Sequence, residues 1–289
     1  MYEVHYQVMA YQSYPSDLTD TEWAIVAPLV PEPKTNGRRA TVARRALLNA
    51  MFYVTKTGCG WEWLPHDFPK WKTVFHYFRL WRLLGVWEAI HTALREAVRR
   101  SLGRQVQPSA AIIDSQSVKT TGVGGPARGY DGGKQIKGRK RHLLVDTQGL
   151  VLALKVHAAD VADRDGAIQV LDGMPERFPR IRKLWTDSNY NGRFRTWAAE
   201  HLADWDVEIV KHWWTGRKWV WLAPGQELPT IPSGFHVLPK RWIVERTLAW
   251  LGQNRRFSKD YERLPETSEA FVHLAMSRLM LRRLAHQLP

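Results

Sequence analysis

Three carboxylates stand where they could do chemistry. Asp114 closes the apolar run Ala110-Ala-Ile-Ile-Asp114, and Asp187 closes a second one, Lys183-Leu-Trp-Thr-Asp187. Both runs have the length and composition of buried strands. An acid at the carboxyl end of a strand lies where sites gather in α/β sheets. Glu245 sits in Arg241-Trp-Ile-Val-Glu-Arg-Thr-Leu-Ala-Trp-Leu251, beside a helical stripe of Val244, Leu248 and Leu251. Hard oxygen ligands converging from two strands and a helix would suit Mg²⁺. Two such ions roughly 3.5–4 Å apart can clamp both oxygens of an in-line phosphoryl displacement. Each acid alone also has an ordinary reading: a strand-end Asp forms turns, and a helical Glu solvates a surface.

The elements that must position these acids fall into two regions. Residues 1–14 lack a clear period and read as a tail. Residues 15–107 read as an all-α domain with a helix-turn-helix-like order of helices. Asp17 or Thr19 can cap its first helix, which carries Trp23, Ile25, Val26 and Leu29. A second helix runs from about Val42 to Thr57, until Gly58-Cys-Gly60 stops it, and two more cover about 70–84 and 87–102. Trp61, Trp63, Trp71 and Trp81 are expected in its core.

Residues 108–289 read as a mixed α/β domain. His142-Leu-Leu-Val and Leu150-Val-Leu-Ala-Leu-Lys-Val flank Asp146-Thr-Gln-Gly149, a hairpin pattern. Helices near 163–171 and 194–202 alternate with strands at Lys183–Asp187 and Val207–Val210, and two helices, about 240–253 and 268–286, close the chain. A Trp-rich segment around 211–238 interrupts the alternation.

Composition narrows the partners. The 289 residues carry 42 Lys+Arg against 28 Asp+Glu, a formal charge of +14. That excess should attract a polyanion, nucleic acid first. At 44% hydrophobic with 15 Trp, the chain is too apolar to be disordered. One cysteine, Cys59, rules out internal disulfides and a Cys-rich zinc site. No apolar run approaches the roughly 20 residues of a membrane span, and the N-terminus lacks a signal-peptide pattern. A soluble, intracellular protein is therefore expected.

The cations cluster. In the helical region Arg38, Arg39, Arg44, Arg45, Lys70, Lys72, Arg79 and Arg82 form the natural DNA-facing set. From Lys119 to Arg141, seven cations (Lys119, Arg128, Lys134, Lys137, Arg139, Lys140 and Arg141) face a single acid, Asp131. So basic a stretch beside the first carboxylate is expected to hold phosphates rather than merely solvate a hairpin. In Lys211-His-Trp213-Trp214-Thr-Gly-Arg217-Lys218-Trp219-Val-Trp221, two readings stay open. One is a hairpin with cross-strand Trp pairs; the other is Trp214 stacking on an unpaired base. His157-Ala-Ala-Asp160-Val-Ala-Asp163-Arg-Asp165 reads as a helix start capped by Asp160 or Asp163 rather than a rival metal site. His142, His157, His201 and His212 show no metal-ligand spacing. Ser115 and Ser117 show no paired base, which argues against a serine nucleophile.

Several motifs occur together and in order. They are Leu18-Thr-Asp-Thr-Glu-Trp23, Thr57-Gly-Cys-Gly-Trp61, Ile113-Asp-Ser-Gln-Ser-Val-Lys119, Gly138-Arg-Lys-Arg-His-Leu-Leu-Val-Asp146, His157 to Asp165, and Trp242-Ile-Val-Glu-Arg-Thr247. Over about residues 16–285 the chain resembles bacterial insertion-sequence transposases of the DDE type. The resemblance implies a ribonuclease-H-like catalytic fold and two-metal DNA strand cleavage and transfer. Its three carboxylates correspond to Asp114, Asp187 and Glu245. Ser188-Asn-Tyr190-Asn-Gly192 stands where relatives carry Lys-Gly-Tyr-Asp. Arg241 matches an Arg four residues before the Glu, whereas Leu238 and Gly252 replace a Tyr and a Lys. Arg256, at i+11 from Glu245, could share its helical face.

The resemblance further implies Mg²⁺, with Mn²⁺ expected to substitute, and Arg241 on a phosphate near the scissile bond. The expected partners are double-stranded DNA, both terminal inverted repeats and target, and a second copy of the chain on that DNA. No membrane partner is expected; the location would be the bacterial cytoplasm, at the nucleoid. Two alternatives share these features: a metal-dependent nuclease without strand transfer, and a repurposed DNA-binding protein without catalysis.

Overall fold

A computed structural model describes residues 13–32, 42–123, 125–187, 189–210, 240 and 242–286. The chain divides into two compact units. Arg38, Arg39, Arg241 and the Trp-rich segment with Trp214 lie outside the described residues. No described helix is long and apolar enough to cross a membrane.

The first unit is helical. Helix α1 (Asp20–Val26) opens on a capping box: Thr19 accepts from the Glu22 backbone N–H, and the Glu22 carboxylate accepts from that of Thr19. Helix α2 (Arg44–Thr57) ends where Gly58 takes the left-handed conformation, φ 74°. Helices α3 (Trp71–Leu83) and α4 (Val86–Ser101) follow. Residues 253–258 and 270–286 also belong to this unit. The sequence reads a helical domain over 15–107 and a catalytic domain over 108–289; by packing, the last helix from 270 clusters with the first unit. Phe271 stacks on Phe78 with ring centroids 4.6 Å apart, and Arg278 pairs with the buried Glu22. Fully burying a Phe removes enough apolar area from water to contribute about 1.5–3 kcal/mol. Tyr14 is also part of the fold rather than of a tail, since it stacks on Phe68 and donates to Asp67 at 2.6 Å. Trp81 is buried as expected, whereas Trp63 is 77% exposed.

The second unit holds a six-stranded mixed sheet. Its strands are β1 (Ala110–Lys119), β2 (Gly129–Asp131), β3 (Ile136–Asp146), β4 (Val151–Ala158), β5 (Lys183–Asp187) and β6 (Asp206–Val210). The order is β2-β3-β1-β5-β6, with β4 also paired to β3. β1, β3 and β4 run antiparallel, and β5 and β6 join β1 in parallel. The β3–β4 turn is the expected one: Asp146 accepts from the backbone N–H groups of Gln148 and Leu150.

Helices α5 (Asp163–Leu171), α6 (Met174–Arg177) and α7 (Arg193–His201) cover one face. There Ala111, Ile113, Leu144, Leu171, Phe178, Leu184, Tyr190 and Phe194 form a buried cluster. Strand alternation turns Ile112 and Asp114 to the other face. Helix α8 (Trp242–Gly252) packs against β1 and β3 and adds nothing to that cluster.

Candidate active site

The β1–β5 ladder is short. Its last pair is Ile112 with Trp185. Beyond it β5 stays paired to β6 as far as Asp187, and β1 stays paired to β3 as far as Lys119. Asp114 and Asp187 are each two residues past that last pair, so both point to the same face, on opposite banks of a notch where the parallel strands part. The structure thus puts Asp187 at a strand end, as expected. It does not do so for Asp114, because β1 continues five residues further along β3.

Local hydrogen bonds orient both acids. The Ser115 backbone N–H donates to Asp114 Oδ1 at 2.7 Å. Asn189 donates to Asp187 twice, from its backbone N–H at 2.8 Å and its amide at 3.3 Å. Tyr190 lies wholly buried against this end of the sheet. Burial, then the negative charge of Asp114, Asp163 and Asp187, holds its phenol well above the usual tyrosine range; contact with Ser115 acts the other way. Tyr190 therefore stays protonated.

Glu245 is exposed in the first turn of α8. The buried stripe is Ile243, Val244, Thr247 and Leu251. Thr247 Oγ1 donates to the Gly149 carbonyl at 2.8 Å, and Arg246 donates to that of Gln148 at 3.0 Å. These bonds fasten α8 to the β3–β4 turn and leave Glu245 on the outward side. Among the described residues, no three His, Cys, Asp or Glu side chains are gathered closely enough to hold a metal ion. The structure thus sets Asp114 and Asp187 on one notch and does not gather Glu245 into a closed ligand set with them. The two aspartates, hard anionic oxygens on facing banks, fit a divalent cation by donor chemistry.

The basic stretch is not an exposed arm. Lys119, Lys134 and Lys137 are exposed, but Arg139, Lys140 and Arg141 are buried at 0, 4 and 1%. These three lie in β3 between β1 and β4, and the fold itself consumes their donors. Arg139 pairs with Asp260 and also donates to the carbonyls of Ala127, Glu262 and Arg263. Arg141 donates to that of Lys259, and its burial lowers the guanidinium to about 10. Lys140 is held by Asp163 at 2.9 Å and the Val161 carbonyl at 2.8 Å. None of the three is placed to grip DNA.

Other cations divide the same way. Arg44 pairs with Glu32 and donates to the carbonyls of Ala27 and Val30; Arg45 pairs with Asp20 and donates to that of Leu18. Lys72 and Arg79 are exposed on one side of α3, which carries no acid. Arg256 does not extend the face of Glu245, because α8 ends at Gly252. It is buried in its own unit, donating to the Cys59 carbonyl at 2.8 Å and lying over the Phe271 ring.

Asp163 is not the helix cap. Ala162 occupies that position without a side-chain bond, and Asp163 instead accepts the Ser115 hydroxyl at 2.8 Å. Sequence reasoning missed this contact, and it missed the burial of Tyr190 under the aspartates. The signal for the first was present: a Ser directly after Asp114 and a Lys in the following apolar strand both demand polar partners once buried.

Comparison with known proteins gives this site its context. Residues 106–280 match the family model described as "Transposase DDE domain", and residues 18–91 match that described as "Putative transposase of IS4/5 family". A relative from Burkholderia cepacia, the 16.2 kDa protein of insertion element IS402, is 34% identical over 113 residues, covering 37% of this chain and 76% of the relative. No solved structure matches. With its DDE domain spanning most of the residues and a sheet that sets two acids on one notch, the chain belongs to the DDE-type insertion-sequence transposases.

Proposed function

We propose that this transposase cuts DNA at the ends of its own insertion sequence and joins the freed 3′ ends to a target. The observation that carries this reading is the placing of Asp114 and Asp187 at equal register across the opened β1–β5 ladder. They would hold divalent metal, Mg²⁺ or Mn²⁺ in its place, with Glu245 as the third carboxylate. Bound there, the metal supplies Lewis-acid stabilisation of the attacking and leaving oxygens. The chain's own residues do the rest. Ser115 N–H and the two Asn189 donors fix how the carboxylates face the notch. Tyr190, a neutral phenol, seals its base without adding charge.

DNA is held elsewhere by cations whose side chains stay exposed. Lys72 and Arg79 on α3 would contact the terminal repeats, while Lys119, Lys134 and Lys137 would contact phosphates nearer the carboxylates. Arg241 and Trp214 would meet the phosphate and an unpaired base at the cut. Joining two ends requires two active sites, so the working species is a dimer on DNA.

The test supplies a duplex carrying the element's terminal repeat, then a pre-cut 3′-hydroxyl end with a target plasmid. Asp114→Asn, Asp187→Ala and Glu245→Gln should each lose cleavage and joining by at least about 1,000-fold, the scale of removing a transition-state charge stabiliser, while end binding persists. Metal-dependent cleavage surviving in Asp187→Ala would overturn the site. Cutting without joined product would identify a nuclease instead.

A further inference from the structure

Behind Asp114, on the opposite face of β1, lies a buried set of charges with no counterpart in the proposed chemistry. Ser115 Oγ donates to Asp163 at 2.8 Å, and Ser117 Oγ donates to Asp131 at 2.5 Å. Between the two acids stands Lys140 Nζ, 2.9 Å from Asp163 and 3.6 Å from Asp131, also donating to the Val161 carbonyl. The Lys140 side chain is 5% exposed, those of Asp131 and Asp163 11 and 14%. Taking three charges out of water is costly, and well-packed apolar residues would serve stability at least as well. The arrangement therefore asks for a role in geometry.

β1 supplies the reason. Past Ile112 it has lost β5 and is laddered only to β3. Asp114 is the second residue on that one-sided stretch, and the two serines that follow are the ones the clamp grips. Ser115 then passes the constraint on, because its own backbone N–H donates to Asp114 Oδ1. We infer that the Asp163–Lys140–Asp131 clamp is a positioning device: through Ser115 it sets the direction in which Asp114 offers its carboxylate to the metal. The inference rests on the assignment of Asp114 as a ligand.

The test uses the full chain. Mn²⁺ alone is titrated in and followed by the electron-spin-resonance signal of the free ion. The Mg²⁺ concentration for half-maximal cleavage, KM for the end duplex and thermal stability are measured beside it. Ser115→Ala and Asp163→Asn should weaken Mn²⁺ binding and raise the Mg²⁺ midpoint roughly 10-fold or more, the usual effect of removing a group that orients a ligand. KM for DNA should stay within about twofold. Ser115→Thr, which keeps the hydroxyl, should behave as wild type. If Asp163→Asn fails to fold, Ser115→Ala and Ser115→Thr decide alone. An unchanged Mn²⁺ titration in Ser115→Ala, with lost activity following lost stability, overturns the clamp provided Asp114→Asn does lose Mn²⁺. If Asp114→Asn also titrates normally, the ligand assignment itself is wrong and the inference falls with it.

Discussion

Arg139 and Asp260 form an ion pair at 3.2 Å with both side chains wholly buried. Arg139 spends its remaining donors on the carbonyls of Ala127, Glu262 and Arg263, so one guanidinium ties β3 to two loops. Arg139→Met would leave Asp260 buried without its ion-pair partner. The expected loss is about 3–5 kcal/mol of unfolding free energy, read from denaturant titration. At permissive temperature the salt dependence of DNA binding should match wild type. A lowered salt slope would show that Arg139 reaches phosphate after all.

The exposed cations should behave in the opposite way. Removing one phosphate contact lowers the slope of log K against log salt by about 0.9. Lys72→Ala, Arg79→Ala and Lys137→Ala should each do this with little effect on stability, since their side chains are exposed. Arg44→Ala should instead cost about 1–3 kcal/mol, because it takes from the Val30 carbonyl its 2.6 Å donor, and should leave the slope alone. Identical slopes for Arg79→Ala and wild type would remove α3 from the DNA interface.

Acid should destabilise the second unit through two histidines. His142 Nδ1 and His157 Nε2 lie 2.7 Å apart, and His157 Nδ1 meets the Ala158 carbonyl, so a shared neutral arrangement is favoured. Burial, then the neighbouring His157, pushes His142 down to about 3; burial also lowers His157. The unfolded chain takes up these protons near pH 6.5, the folded one only at lower pH. For His142 the stability is thus full above about 6.5 and drains as pH falls toward 3, by up to about 1.4 kcal/mol per pH unit, and His157 acts in the same direction. Unfolding measured from pH 7 to pH 5 should fall more steeply for wild type than for a His142→Gln/His157→Gln double variant. Parallel curves would sink the idea.

Gly166 lies against the same pair. A Cβ added there would stand 2.3 Å from His142 Cε1 and 2.6 Å from His157 Nε2. Both atoms belong to buried rings that cannot swing aside, so Gly166→Ala should cost about 1–3 kcal/mol. A midpoint of urea unfolding equal to wild type would mean that the ring pair has room to move.

Much of the fold was legible because its signals are local. Strand β5 falls on the residues expected for it, the Thr19 capping box and the Asp146 turn are complete within five residues, and Gly58 ends α2 where its backbone freedom is needed. The packing of the last helix is not legible for the complementary reason. Its apolar period was visible, but not the partner, which is Phe78, almost two hundred positions earlier. Asp114 and Asp187 were legible as acids ending apolar runs. That they stand level past the end of one short ladder depends on register, which nothing near either residue specifies.

What the sequence determined by itself was the chemistry on offer: three carboxylates on two strands and a helix, a large excess of positive charge, and the motifs that tie them to one family. Tertiary structure decided which charges remain available for it. Gly138-Arg-Lys-Arg-His142 reads as a surface stripe because charge favours water. Yet Arg139 finds its counter-ion 121 positions away, and Lys140 finds one of its own in Asp163. Burial of a charge is tolerable only when an opposite charge and carbonyl acceptors meet it at contact distance. That meeting is arranged by strands and loops far apart in the chain, so the fold alone separates the cations it pairs internally from those it leaves exposed.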